Sequence, residues 1–141
     1  MSIFSQQHSK ISTFYLLTRE NQQMKAELRQ QGRNKKAVLI IPVLATEFTM
    51  PENRPVFERI VHQIKDATYL SKIIFGLDGA TTGEAEQLER ILHHYNLKNY
   101  LIQHNDGDHF ASFYHTLSEA GFGFDEPGKG RNMFLSFGIA L

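Results

Sequence analysis

Apolar positions along the chain follow two regimes, divided near Lys36. Before that point Ile11, Phe14, Tyr15, Leu17, Met24 and Leu28 stand among Gln, Glu, Lys and Arg at a spacing near one helical turn, which predicts a helix over about 10–31. Gly32 is its C-terminal stop signal, and the polar stretch QGRNKK makes a link. From Lys36 the texture changes. AVLIIPVL is a continuous apolar run rich in β-branched residues, the pattern of a strand buried on both faces of a parallel sheet. Phe57, Ile60, Val61 and Ile64 then recur at i, i+3, i+4 and i+7, predicting a helix with one buried face that runs to about Thr68. KIIFGLDGA reads as a second strand, and Ala85, Leu88, Ile91, Leu92 and Tyr95 mark another amphipathic helix. NYLIQHNDGD supplies a third strand, followed by a helix from Phe110 to Ala120. The glycine-rich stretch GFGFDEPGKG leads into a final helix over Arg131–Leu141.

Three strand–helix repeats in succession predict an α/β fold, a Rossmann-like βαβαβα unit with a parallel sheet, preceded by an N-terminal helix. Residues 1–35 form the helical segment and 36–141 the α/β unit. Ligands of such sheets sit beyond the C-terminal ends of the strands. Those ends are ATEF, DGAT and NDGD, all polar, and two of them set a carboxylate beside a glycine.

Composition narrows the function without choosing it. A length of 141 residues suits one domain with an ordinary core. Lys+Arg and Asp+Glu are equal at 15 each, and no basic block appears, so neither nucleic acid nor an anionic membrane is an expected partner. Cysteine is absent, which excludes disulfides and thiolate metal sites. The polar N-terminus lacks a signal-peptide apolar block, and no run approaches a membrane span, so a soluble cytoplasmic protein is expected.

GFDEPGK matches the G-x-x-x-x-G-K spacing of a P-loop, yet Gly130 stands where Ser or Thr must hold Mg²⁺, and SEAGFGF is a poor strand. The P-loop reading is rejected. The bare Gly128-Lys129-Gly130 remains, either a solvated loop or an anion cradle that combines close backbone approach, a lysine charge and a helix start. Asp106 and Asp108 form a D-x-D, the usual shape of a divalent-metal clamp, but a turn in which Asp and Gly supply the bend is the preferred explanation. The histidines show no zinc-like spacing and read as surface residues. Glu47 and Asp78 follow buried strands at the ligand edge, where a carboxylate accepts from a base N–H or a ribose hydroxyl. Asp78 serves equally well as a cap for the next helix.

With IPVLATEF, GLDGAT, HNDG and GKGRNMFLSFGIAL in that order, residues 10–141 resemble the front half of a GT-A glycosyltransferase. More narrowly, they resemble the glucosyl-3-phosphoglycerate synthase type, retaining enzymes that use nucleotide sugars. The resemblance implies that Pro42–Glu47 lies against the nucleoside, with Pro42, Leu44 and Glu47 at the site, and that Asp78 meets the base. It further implies that Gly128, Lys129 and Gly130 contact a UDP- or GDP-hexose donor. The acceptor implied is glycerate- or phosphoglycerate-like, the product a compatible solute, and the cofactor Mg²⁺ or Mn²⁺. In that family the metal ligands lie on an Asp-x-Asp after a fourth strand, which does not occur before Leu141. A truncated, inactive half with no catalytic residue and no metal ligand of its own is therefore expected. Its first strand is left as an open apolar edge prone to self-association, and its last helix, apolar nearly all round, is expected to be buried. The contrasting expectation is a non-catalytic nucleotide- or metabolite-binding α/β module.

Overall fold

The computed structural model describes residues 21–32, 36–124 and 126–141. Helix α1 spans Asn21–Gly32; the earlier part of the helix predicted over 10–31 lies outside the described residues. Three parallel strands follow: β1 (Ala37–Leu44), β2 (Leu70–Asp78) and β3 (Tyr100–His104), in the spatial order β1-β2-β3. The short helix α2 (Thr46–Thr49) and helix α3 (Arg54–Ile64) connect β1 to β2, and α4 (Thr82–His94) connects β2 to β3. A 3-10 turn (Asp108–Phe110), α5 (Ala111–Glu119) and α6 (Lys129–Ala140) complete the fold. No helix among the described residues is long and apolar enough to cross a membrane.

Alternation along β2 decides how the layers form, because successive residues of a strand point to opposite faces. Ile73, Phe75 and Leu77 enter a continuous core with Val43 of β1, Phe57 and Val61 of α3, and Leu88, Ile91 and Leu92 of α4. Phe48 of α2 joins it, its ring centroid 5.7 Å from that of Phe57, which in turn lies 6.4 Å from Phe75. Helix α3 starts with a proline in its first turn, where the missing N–H costs nothing. Helix α4 starts on a capping box: the Glu84 amide donates to the Thr81 hydroxyl (3.3 Å) and the Thr81 amide donates to the Glu84 carboxylate (2.7 Å). Thr81, not Asp78, caps this helix, which corrects the capping role open to Asp78 in the sequence.

Ile74 and Gly76 face the other way, toward α6, which crosses β2 and β1. The final helix departs from expectation in two respects. It begins at Lys129 instead of Arg131, so Lys129 and Gly130 belong to its first turn and only Gly128 remains in the loop. Its buried face is largely polar: Arg131, Asn132, Leu135 and Ser136 are covered, whereas Phe134, Phe137 and Ile139 are exposed. The physical reason is hydrogen bonding. The Asn132 side-chain amide donates to the Gly76 carbonyl, and the Ser136 hydroxyl donates to Asn132 Oδ1 at 3.3 Å. Gly76 permits this approach, since a Cβ there would lie 1.9 Å from Asn132 Oδ1.

Candidate functional site

Parallel register brings the strand ends to one edge, with Leu44 beside Asp78 and Leu77 beside His104. Asp78 ends β2 almost without solvent contact, at 1% exposure. A carboxylate so placed must be paired and hydrogen-bonded. Oδ1 accepts from Arg131 Nη2 (2.7 Å) and Asn105 Nδ2 (2.9 Å), and Oδ2 accepts from the Gly128 amide (3.0 Å). Asn105 is held by the Gln103 side-chain amide, and its carbonyl accepts from the Tyr114 hydroxyl at 2.7 Å.

Gly79 takes the left-handed conformation, with φ +63°, and turns the chain off the strand. That turn lets the Ala80 amide donate to Asp106 Oδ2 (3.2 Å), while Asp106 Oδ1 accepts from Arg131 Nη2 (2.7 Å). One guanidinium nitrogen thus bridges two carboxylates from different strand ends. The Arg131 guanidinium also lies over the Tyr114 ring, 5.3 Å from its centroid. Burial works against ionisation of Asp106, yet the Arg131 and Ala80 hydrogen bonds outweigh it and hold the carboxyl below its ordinary range. Burial likewise disfavours the charge on Arg131, and the two acids more than restore it.

Beside this cluster opens a cleft of about 460 Å³. Six of the seven residues singled out in the sequence line it: Pro42 and Leu44 of β1, Glu47 of α2, Asp78 of β2, Gly128, and Lys129 of α6. Gly130 does not line it, because the first turn of α6 carries it past the opening. Pro127 and Asn132 close the remaining side. Glu47 and Lys129 are both exposed, and neither side chain has an ion pair among the described residues. The cleft therefore offers an apolar wall, a carboxylate and an ammonium, neither of them ion-paired among the described residues.

The D-x-D at Asp106 and Asp108 is not a clamp, since Asp106 turns to Arg131 and Asp108 opens the 3-10 turn. Among the described residues no group of three His, Asp or Glu is placed to hold a metal ion. The residues that organise the edge were not singled out in the sequence: Arg131, Asn105, Gln103 and Asn132. For Arg131 a signal existed, because a cation in the first turn of a helix opposes the helix dipole and needs a compensating acid.

This chain is similar to the glucosyl-3-phosphoglycerate synthase of Persephonella marina (strain DSM 14350 / EX-H1), with 34% identity over 123 residues. That similarity supports a glycosyltransferase relationship. The aligned stretch covers 87% of this chain but 29% of the relative's length. No protein-family model and no solved structure matches the chain.

Proposed function

We propose that this chain forms the nucleotide-sugar-binding portion of a retaining glycosyltransferase, one that moves glucose or mannose from a UDP- or GDP-hexose to a glycerate- or phosphoglycerate-like acceptor. The observation that carries the reading is the convergence of Pro42, Leu44, Glu47, Asp78, Gly128 and Lys129 on one cleft at the C-terminal edge of a parallel sheet. The similarity to a glycosyltransferase supports the same reading.

Each residue has a part that its surroundings favour. Pro42 and Leu44 offer apolar surface to the nucleoside, and Glu47 accepts from a base N–H or a ribose hydroxyl. Lys129 stands opposite the diphosphate at the start of α6, where the positive end of the helix adds to its charge. The Gly128 amide is already used by Asp78, so the first-turn amide of Lys129 is the backbone donor that the cleft lining leaves for an anion. Asp78 acts from beneath, fixing Gly128, since both its oxygens already accept protein donors.

A divalent ion, Mg²⁺ or Mn²⁺, belongs to the proposed transfer, where it would neutralise charge on the leaving diphosphate. The described residues do not fit one. Asp78 and Asp106 are both engaged by Arg131.

Titration calorimetry with UDP-glucose, GDP-glucose and GDP-mannose tests the reading. One of the three is expected to bind. Lys129→Ala is expected to weaken that binding by about tenfold or more, the loss of a hydrogen bond to a charged group. Absence of binding by all three, or affinity untouched by Lys129→Ala, overturns it.

A further inference from the structure

We infer that Arg131 is the positioning residue of this site: by bridging Asp78 and Asp106 it latches the start of α6 to the sheet edge and so sets where Lys129 stands. The ligand half of this inference rests on the donor-site reading above; the latch itself does not.

Three observations converge on Arg131. Its side chain is 6% exposed, and its Nη2 lies 2.7 Å from a carboxylate oxygen of each acid. The acids come from different strand ends, Asp78 from β2 and Asp106 from the turn after β3, and Tyr114 of α5 stacks beneath the guanidinium. Four segments therefore meet at one side chain. The third observation is the chain of bonds leading to the cleft. Arg131 holds Asp78 Oδ1, and Asp78 Oδ2 accepts from the Gly128 amide, the residue immediately before Lys129. Asn132, the next residue along, anchors the helix to the Gly76 carbonyl.

Chemistry explains why this position holds an arginine. A cation in the first turn of a helix sits against the positive end of the dipole, and Lys129 already places one there. A second is tolerated only because two carboxylates neutralise it. The reverse also holds. Without the guanidinium, Asp78 and Asp106 would be two acids at one edge of the sheet, one of them buried, and they would repel. Lysine is a poor replacement, because its strongly hydrated ammonium on a flexible stem lacks the planar, weakly hydrated group that lies over the Tyr114 ring.

Amide hydrogen exchange tests the latch without any ligand. In the wild-type chain the Gly128 amide is expected to be protected. In Arg131→Lys and in Asp106→Asn it is expected to exchange about tenfold faster or more, while the amides of Ile74 and Phe75 in β2 keep their protection. A uniform loss across Gly128, Ile74 and Phe75 would mean a merely structural role and overturn the inference. So would unchanged protection at Gly128 in both variants.

Coupling to the site is read from a double-mutant cycle on the affinity for whichever of UDP-glucose, GDP-glucose and GDP-mannose binds the wild-type chain. If Arg131 positions Lys129, the roughly tenfold cost of Lys129→Ala shrinks to about twofold or less in the Arg131→Lys background. Strictly additive losses overturn the positioning of Lys129. Where no nucleotide sugar binds the wild-type chain, the donor reading fails, and hydrogen exchange at Gly128 still decides whether the latch exists.

Discussion

Gly76 interrupts the most thoroughly buried strand of the sheet, and its missing side chain is what lets α6 dock. A methyl group there would lie 1.9 Å from Asn132 Oδ1 and 2.7 Å from Ser136 Oγ, two side chains held in place by hydrogen bonds that would have to shift. Gly76→Ala is expected to cost about 1–3 kcal/mol, the usual range for overpacking a closed site, read as a lower urea midpoint. Asp106 contributes to the pH dependence, beside Glu58 and Glu84, whose carboxyls are also lowered, by hydrogen bonds from Arg54 and Thr81 respectively. The folded pKa of Asp106 is depressed, so its contribution to stability is complete above the unfolded value of about 4 and is lost as pH falls through the folded value. The urea midpoint is therefore expected to decline as pH drops below about 4. Asp106→Asn is expected to remove part of that decline while lowering the midpoint at neutral pH. An identical pH profile in the variant would show that Asp106 is not one of the groups concerned.

At the level of elements, periodicity carried most of the fold. The run AVLIIPVL and the i, i+3, i+4, i+7 pattern at Phe57, Ile60, Val61 and Ile64 became β1 and α3 because each states one period strongly. Boundaries moved where local chemistry overrode the pattern. Helix α4 starts at a capping box, and α6 starts two residues before the position expected. Thr81→Ala is expected to cost about 1 kcal/mol, the ordinary loss of such a cap, checked by urea denaturation with the far-ultraviolet spectrum unchanged. Helix α6 was misread because an apolar count does not say which face docks. The deciding partners of its polar face, Gly76 and Asp78, lie 56 and 53 residues away in sequence. The cleft was more legible than the latch for the same reason. Its residues follow strand ends and a glycine-rich stretch, which are local signals, whereas an Arg131–Asp78–Asp106 bridge exists only once the chain has folded.

Across the whole molecule, the composition of β1 conflicts with its place. A run of eight residues with the texture of a central strand occupies an edge, hydrogen-bonded to β2 alone among the described residues. Val38 and Leu44 are 37% and 47% exposed. An apolar strand with one unpaired ladder is a template for another strand. A second apolar surface lies between α5 and α6, a groove of about 630 Å³ that includes Phe113, Phe134 and Phe137. The two surfaces make different predictions. Pairing through β1 leaves a row of backbone bonds to be satisfied and is sensitive to a charge on the edge; contact through the groove depends on the phenylalanine rings. Sedimentation velocity of the chain across a concentration series is expected to show self-association. Val38→Lys is expected to return it toward a monomer, because an edge lysine must be desolvated before a second strand can pair. Recovery of the monomer by Phe134→Gln with Phe137→Gln, and not by Val38→Lys, would move the contact to the groove. A wild-type monomer at every concentration would mean that the half-buried side chains of β1, with α6 across them, already protect the edge.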